Sequence, residues 1–353
     1  MVRAAAGTRA RARSRAQRRS ALGGVFRSRL RHSPIRRRRG AVHLFPILKK
    51  GVPVKRFLLK ISLFFALSAA VFVGIFGIYL YKLWKTDFKL DENITVLFVG
   101  DSHIRDGVDT SLIPNSFNSS EHGDIYFRAL CRIRKFACEN PNIRTIFVGV
   151  SPLSFAWGAP QVEHGQLKKI LPDYAFLLTS EDVSYLRDVY SSSEIIGAFW
   201  GRPISSFSDL FYNKSLGSKL HFGNFEPQDR KWNRAFPRSS QEKMFMQMKI
   251  RSGNSFYLEK IITFCNENSL RLIFINMPLY DVESSFSQEV RENFEKMLSE
   301  DAFSKIEMWD YSNFPLPDEC RLNINHINRW GAEIFSRELA ERMKREGIVP
   351  ADS

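Results

Sequence analysis

Residues 61–81 run for 21 positions without a charged side chain. At 1.5 Å of rise per residue, a helix of that length covers the hydrocarbon thickness of a bilayer. The flanks fit a membrane boundary. Lys55, Arg56 and Lys60 precede the run, and Tyr79, Tyr81 and Trp84 stand at its far end, where interfacial aromatics collect. The sequence therefore predicts a transmembrane anchor over residues 57–84. The alternative is a cleaved signal peptide, against which stand the length of the apolar core and the lack of a small-x-small site after it. The basic flank puts the N-terminus in the cytoplasm and the following domain in the periplasm or outside the cell. Lys82, Lys85 and Lys89 weaken that bias without reversing it.

Charge is distributed to match. The chain carries a formal net charge of +15, and all of it originates ahead of the anchor. Residues 1–60 hold 19 of the 52 Lys and Arg and none of the 37 Asp and Glu, which leaves 33 basic against 37 acidic residues downstream. A basic globular face would point to nucleic acid, whereas a basic tail ahead of an apolar run points to membrane topology. Residues 1–56, with Arg36, Arg37, Arg38 and Arg39 in a row, repel one another and offer little apolar surface, so a disordered cytoplasmic tail is expected. Binding of the tail to nucleic acid or anionic lipid is the alternative. No nucleic-acid partner is expected for the outer domain.

Beyond the anchor, short β-rich runs alternate with helical patterns. Residues 94–99, 145–150, 270–276 and 306–309 read as buried strands. Residues 126–138, 241–268, 287–298 and 328–345 read as helices, with Gly253 a break in the second and Gly347 the stop of the last. Residues 155–240 read as a helical and irregular insertion. The alternation predicts an α/β domain over residues 90–348, with a mainly parallel sheet sandwiched by helices. In such folds ligands bind outside the carboxyl ends of the strands. Cys131 and Cys138, seven apart on one helix, lie about 10 Å apart, too far to bond. Cys265 and Cys320 could pair in an oxidising compartment. No cysteine or histidine spacing resembles a metal site, and no cofactor is expected.

The polar residues after the strands carry the candidate chemistry. Gly100-Asp101-Ser102-His103 follows the first strand, where a serine hydroxyl projects at the sheet edge and backbone N–H groups can face an oxyanion. Its plain alternative is a capped turn. His326, in the run Asn323-Ile324-Asn325-His326-Ile327-Asn328 ahead of Trp330-Gly331-Ala332, could reach that serine as general base. His103 reads as a turn residue or a second proton carrier. Asn93, Asn118 and Asn213 stand in glycosylation-like triplets. Phe199, Trp200, Phe211 and Tyr212 are either core or the lining of a glycan cleft.

A strand followed by GDSH, and a His-x-Asn-x-x-Gly-Ala run into the last helix, resemble the SGNH (GDSL-like) hydrolase and acyltransferase superfamily, in its membrane-anchored, envelope-directed form. The resemblance spans roughly residues 92–345, with specific motifs at the two ends. It implies a flavodoxin-like sheet, Ser102 as nucleophile and His326 as base. It also implies an oxyanion hole from the Ser102 N–H and the loop 118–123, with Gly123 as the second donor. The family's third-block Asn is missing from Val148-Gly149-Val150-Ser151-Pro152, where Ser151 could donate through its hydroxyl. The family Asp three residues before the histidine is Asn323, which can orient the ring but supplies no charge; Asp310 or Asp318 could substitute. The implied function is a serine esterase or O-acyltransferase acting on a surface polysaccharide, with an acyl-donor protein in the membrane as partner. The alternative is an inactive SGNH-like module that binds glycan or scaffolds an assembly complex.

Overall fold

The computed structural model describes residues 54–84, 87–152, 154, 167, 171, 174–205, 225–229, 254–279, 286 and 288–351. Helix α1 spans Val54–Trp84. It is long and apolar enough to cross a membrane, with a mean hydropathy of 2.4 over Val54–Ile78 and side chains exposed almost throughout.

The remaining elements follow in the order β1 (Val96–Val99), α2 (Ser102–Gly107), β2 (Ser116–Asn118), α3 (Tyr126–Glu139) and β3 (Thr145–Gly149). Then come α4 (Ser180–Val189), α5 (Ser192–Ser205), α6 (Asn254–Glu267), β4 (Arg271–Asn276), α7 (Gln288–Leu298), β5 (Glu307–Asp310) and α8 (Arg329–Arg345). The strands form one parallel sheet in the order β2-β1-β3-β4-β5. This is the flavodoxin-like order, as expected, and the chain reverses direction across the sheet between β1 and β3.

Central parallel strands are covered on both faces, so their sequences are apolar without a break, and the two-residue period sorts the side chains between two cores. Leu97, Val99, Ile146, Val148, Leu272 and Phe274 face α3, α6 and α7. Val96, Phe98, Phe147, Ile273 and Ile275 face Trp309 and α8. Phe98 stacks on Phe147 at 4.7 Å, and Phe147 meets Trp309 edge-on at 5.1 Å.

The sequence missed two elements. β2 is three residues long with Asn118 at its end, so it carries no β-rich run, and α2 is only six residues long. The insertion supplies α4 and α5 among its described residues. A Thr179–Asp182 capping box starts α4, and an Arg134–Asp182 ion pair at 2.8 Å ties it to α3. Residues 241–253 and the Asn213, Phe211 and Tyr212 expectations lie outside the described residues, as do the side chains of Phe199 and Trp200.

The possible Cys265–Cys320 pairing is corrected: none of the four cysteines is in a disulfide. Cys265 packs in the α3/α6 core, while Cys320 sits in the turn that packs on α8, across the sheet. Asn118 is no glycan acceptor either. It is fully buried, and its amide donates to the carbonyls of Ile104 and Val108 at 3.0 and 2.9 Å.

Candidate active site

β1 delivers Gly100 and Asp101 to the carboxyl edge of the sheet, where Asp101 caps α2 by accepting from the His103 N–H at 2.9 Å. Ser102 is thus the first residue of the helix, and the first N–H groups of a helix have no partner within it. Gly100 is required by packing. A Cβ there would stand 2.6 Å from Ile104 Cγ1, and one on Gly149 would stand 2.7 Å from the same atom. Ile104 therefore rests on two bare strand ends and draws α2 down onto the β1–β3 switch point.

The second half of the site is built by the chain ahead of α8. Asn328 caps that helix, its Oδ1 accepting from the Trp330 and Gly331 N–H groups at 3.1 and 3.2 Å. Its Nδ2 donates to the carbonyls of Glu319 and Arg321 at 2.6 and 3.2 Å. The Leu322 and Asn323 N–H groups both donate to the His326 carbonyl, and Arg321 bridges Ile327, so residues 321–327 form a closed loop with His326 near its end.

The two halves meet. Ser102 Oγ lies 2.7 Å from His326 Nε2, across 224 residues of sequence. On the other side of the ring, His326 Nδ1 lies 3.2 Å from Asn323 Oδ1 and 3.1 Å from Asn325 Oδ1. Asn323 also accepts from the His326 N–H at 2.8 Å, which fixes the histidine backbone as well as its ring. With amide oxygens at Nδ1, the ring carries its proton there and presents Nε2 as the acceptor towards the serine. Asp310 does not stand in for a triad acid. Its carboxylate accepts from Asn276 Nδ2 and the Ser312 N–H at 3.1 and 2.9 Å. Asp318 opens the 3-10 turn Asp318–Cys320.

The surroundings set the charge. Burial, followed by the positive charge of His103, pushes His326 down to about 3, so its imidazole is neutral at physiological pH. His103 stacks on it, ring centroids 4.5 Å apart and planes within 7°. Burial disfavours a charge on His103, but the Asp101 carboxylate, 2.8 Å from Nδ1, outweighs it and raises the group. Asp101 is lowered in turn, the neighbouring His103 overcoming its burial. Nothing along the chain signals the stack, which depends on a loop more than two hundred residues away.

The loop after β2 reaches the nucleophile turn through the Glu121 N–H, which donates to the Gly100 carbonyl at 3.1 Å. Gly123 lies on that loop with φ +60°. Its carbonyl accepts from Arg128 Nη2 at 2.7 Å, and Arg128 and the fully buried Arg132 both pair with Asp124. Ser151 lies buried at the end of β3, with its hydroxyl 3.0 Å from that of Ser154. Titratable residues the sequence did not flag also stand near the pair. Asp106 is buried and raised to about 7, chiefly by burial. His122 Nε2 lies 3.6 Å from Asp106 Oδ1 and 3.9 Å from Glu226 Oε2. The segment 225–229 spans from α2 to α8, its Glu226 N–H donating to the Arg105 carbonyl and its Gln228 carbonyl accepting from the Arg329 N–H. Among the described residues no three His, Cys, Asp or Glu side chains are grouped to hold a metal.

No protein-family description matches this chain, and no curated protein does. Among solved structures it is similar to a proposed acylhydrolase of Bacteroides fragilis NCTC 9343, at 8% identity and a TM-score of 0.35, over 76% of this chain and 95% of that one. It is also similar to a GDSL-like lipase of Bacteroides thetaiotaomicron VPI-5482, at 8% identity and a TM-score of 0.34, over 76% of this chain and 97% of that one.

Proposed function

We propose that residues 90–348 form an SGNH-type serine acyl-transfer domain, an esterase or O-acyltransferase, held at the outer face of a membrane by the single span of α1. The observation that carries this reading is the 2.7 Å contact between Ser102 Oγ and a His326 Nε2 whose ring is fixed from behind. In the reaction, the Ser102 hydroxyl proton passes to His326 as Oγ bonds to the acyl carbon. The same proton then goes to the departing alkoxide as the ester C–O bond breaks. Water or a sugar hydroxyl next takes the acyl group from Ser102. The N–H groups of Ser102 and Gly123, and the Ser151 hydroxyl, are the proposed donors to the oxyanion.

The proposed substrate is an O-acylated envelope or surface polysaccharide, and transfer would draw its acyl group from a membrane-bound donor protein. The basic residues ahead of the span put the N-terminus in the cytoplasm. The test is ester cleavage by the full chain in detergent, with p-nitrophenyl acetate and an acetylated glycan. Ser102→Ala abolishes it on this reading; an unchanged rate overturns it.

One observation favours a second reading. Two neutral amides stand at His326 Nδ1, where a charged acid would stabilise the imidazolium. A catalytically inactive glycan-binding or scaffolding module would keep that geometry. A serine-directed fluorophosphonate that never labels the folded chain would select this reading.

A further inference from the structure

The acyl-transfer pair has a neighbour that its chemistry leaves unused. His103 is buried, its ring lies parallel to that of His326 at 4.5 Å, and its Nδ1 lies 2.8 Å from Asp101 Oδ1. The same carboxylate oxygen accepts from the His103 N–H, so the carboxylate is committed to this one residue from two sides. We infer that His103, held as an imidazolium by Asp101, is a positioning residue that keeps His326 neutral and ready to accept the Ser102 proton. This inference rests on the acyl-transfer reading of Ser102 and His326.

Most groups around the stacked rings favour a charge on His103; against it stands its Nε2, which is buried with no hydrogen-bond partner among the described residues. On α2 stand Arg105, a cation turned to Glu226, and Asp106, whose acid is raised to about 7 by burial. From the loop after β2 comes His122, held low by burial and by Arg105. From the loop before α8 come the amides of Asn323 and Asn325, both at His326 Nδ1. Among the described residues, the one carboxylate in direct contact with either ring of the stack is Asp101, and it touches His103. Two parallel imidazoles at this spacing repel when both are charged, so the one charge the pair can carry falls on the ring with the counter-ion. His103 is raised and His326 lowered, in keeping with that geometry. The consequence for turnover is that the proton His326 takes from Ser102 is held against the charge on His103, which favours its onward transfer to the leaving alkoxide.

The experiment is a pH titration of ring-labelled histidines by NMR, on the full chain in detergent micelles. It compares the unmodified chain with His103→Gln and His103→Phe; the phenylalanine keeps an aromatic stack without the charge. We expect His103 to be protonated and His326 neutral at pH 7, with the His326 midpoint rising by about one unit or more, a tenfold gain in proton affinity, in both variants. The acidic limb of ester cleavage should move with it. An unchanged His326 midpoint, or a neutral His103 at pH 7 in the unmodified chain, overturns the inference. If neither variant folds, Asp101→Asn tests the counter-ion: its loss should release the His103 proton at pH 7, and a His103 that stays protonated there overturns the inference. A shifted midpoint without any Ser102-dependent cleavage would uphold the electrostatic coupling and remove the acyl-transfer reading.

Discussion

A methyl group on Gly331 would stand 2.3 Å from the carbonyl oxygen of Cys320. That oxygen also accepts from the Asn328 N–H, so it belongs to the turn that holds the His326 loop against α8. Gly331→Ala must push its Cβ against the Cys320 backbone, and overpacking of this kind costs about 1–3 kcal/mol. We expect a clearly lowered Tm and a loss of ester cleavage carried by kcat. A variant with both Tm and kcat unchanged would remove Gly331 from the support of His326.

Asn328 serves α8 and the His326 loop with one side chain. Asn328→Ala removes a helix cap, which costs about 1 kcal/mol, and leaves the Glu319 and Arg321 carbonyls without its amide. Asn328→Asp restores the cap acceptor but not those two donors. The expected order of Tm is therefore unmodified chain, then Asp, then Ala. Equal stability of the Asp variant and the unmodified chain would show that the carbonyl contacts contribute nothing.

Asn323→Asp places a carboxylate at His326 Nδ1, where an amide oxygen now lies at 3.2 Å. The added charge stabilises the imidazolium formed during acyl transfer. Ester-cleavage kcat should rise by roughly tenfold or more if the chemical step limits the rate. A fall in kcat with an intact fold would mean that Asn323 does more than orient the ring.

Asp106 carries a pH signature of its own. Its folded value of about 7 lies above the unfolded value of 3.8. Between those values the folded state holds a proton that the unfolded state has lost, so this group takes stability away as pH rises. His326 acts with the opposite sign, being depressed from 6.5 to about 3, so its stability contribution is lost as pH falls below 6.5. The isosteric Asp106→Asn isolates the first effect. Its Tm should exceed that of the unmodified chain at pH 8 and match it near pH 4. A variant less stable at pH 8 would show that the ionised carboxylate has a partner it needs.

The cysteines give a chemical test of the two cores. Cys138 is exposed, whereas Cys131 and Cys265 are buried, and burial pushes the Cys265 thiol up to about 12. A maleimide at neutral pH should label Cys138 and spare Cys131 and Cys265 until the chain unfolds, and reductant should leave Tm unchanged. A Tm that falls on reduction would reveal a disulfide.

Much of this fold was legible along the chain. The runs 145–150 and 270–276 are apolar without a break because central parallel strands are buried on both faces, and they became β3 and β4 with ends trimmed by a residue. The uncharged stretch 61–81 needs only its own length and composition to form a membrane-length helix. Ser102 and His326 were legible as candidates because each sits at a strand end or helix start marked by local residues. β2 left no trace, since three residues ending in Asn118 carry no period. The Cys265–Cys320 suggestion failed because sequence separation does not tell which face of a sheet a helix covers.

The sequence by itself determined the membrane-length helix and the alternation of strands and helices, and it marked as candidates the two residues that end up 2.7 Å apart. These depend on short-range patterns of hydrophobicity and capping. Tertiary structure alone decided that His103 lies on His326, that Asp101 faces the first ring and two amides face the second, and that Ile104 rests on Gly100 and Gly149. Those contacts join segments separated by tens to hundreds of residues. Charge and packing act through space, and a linear pattern records only what is near in sequence.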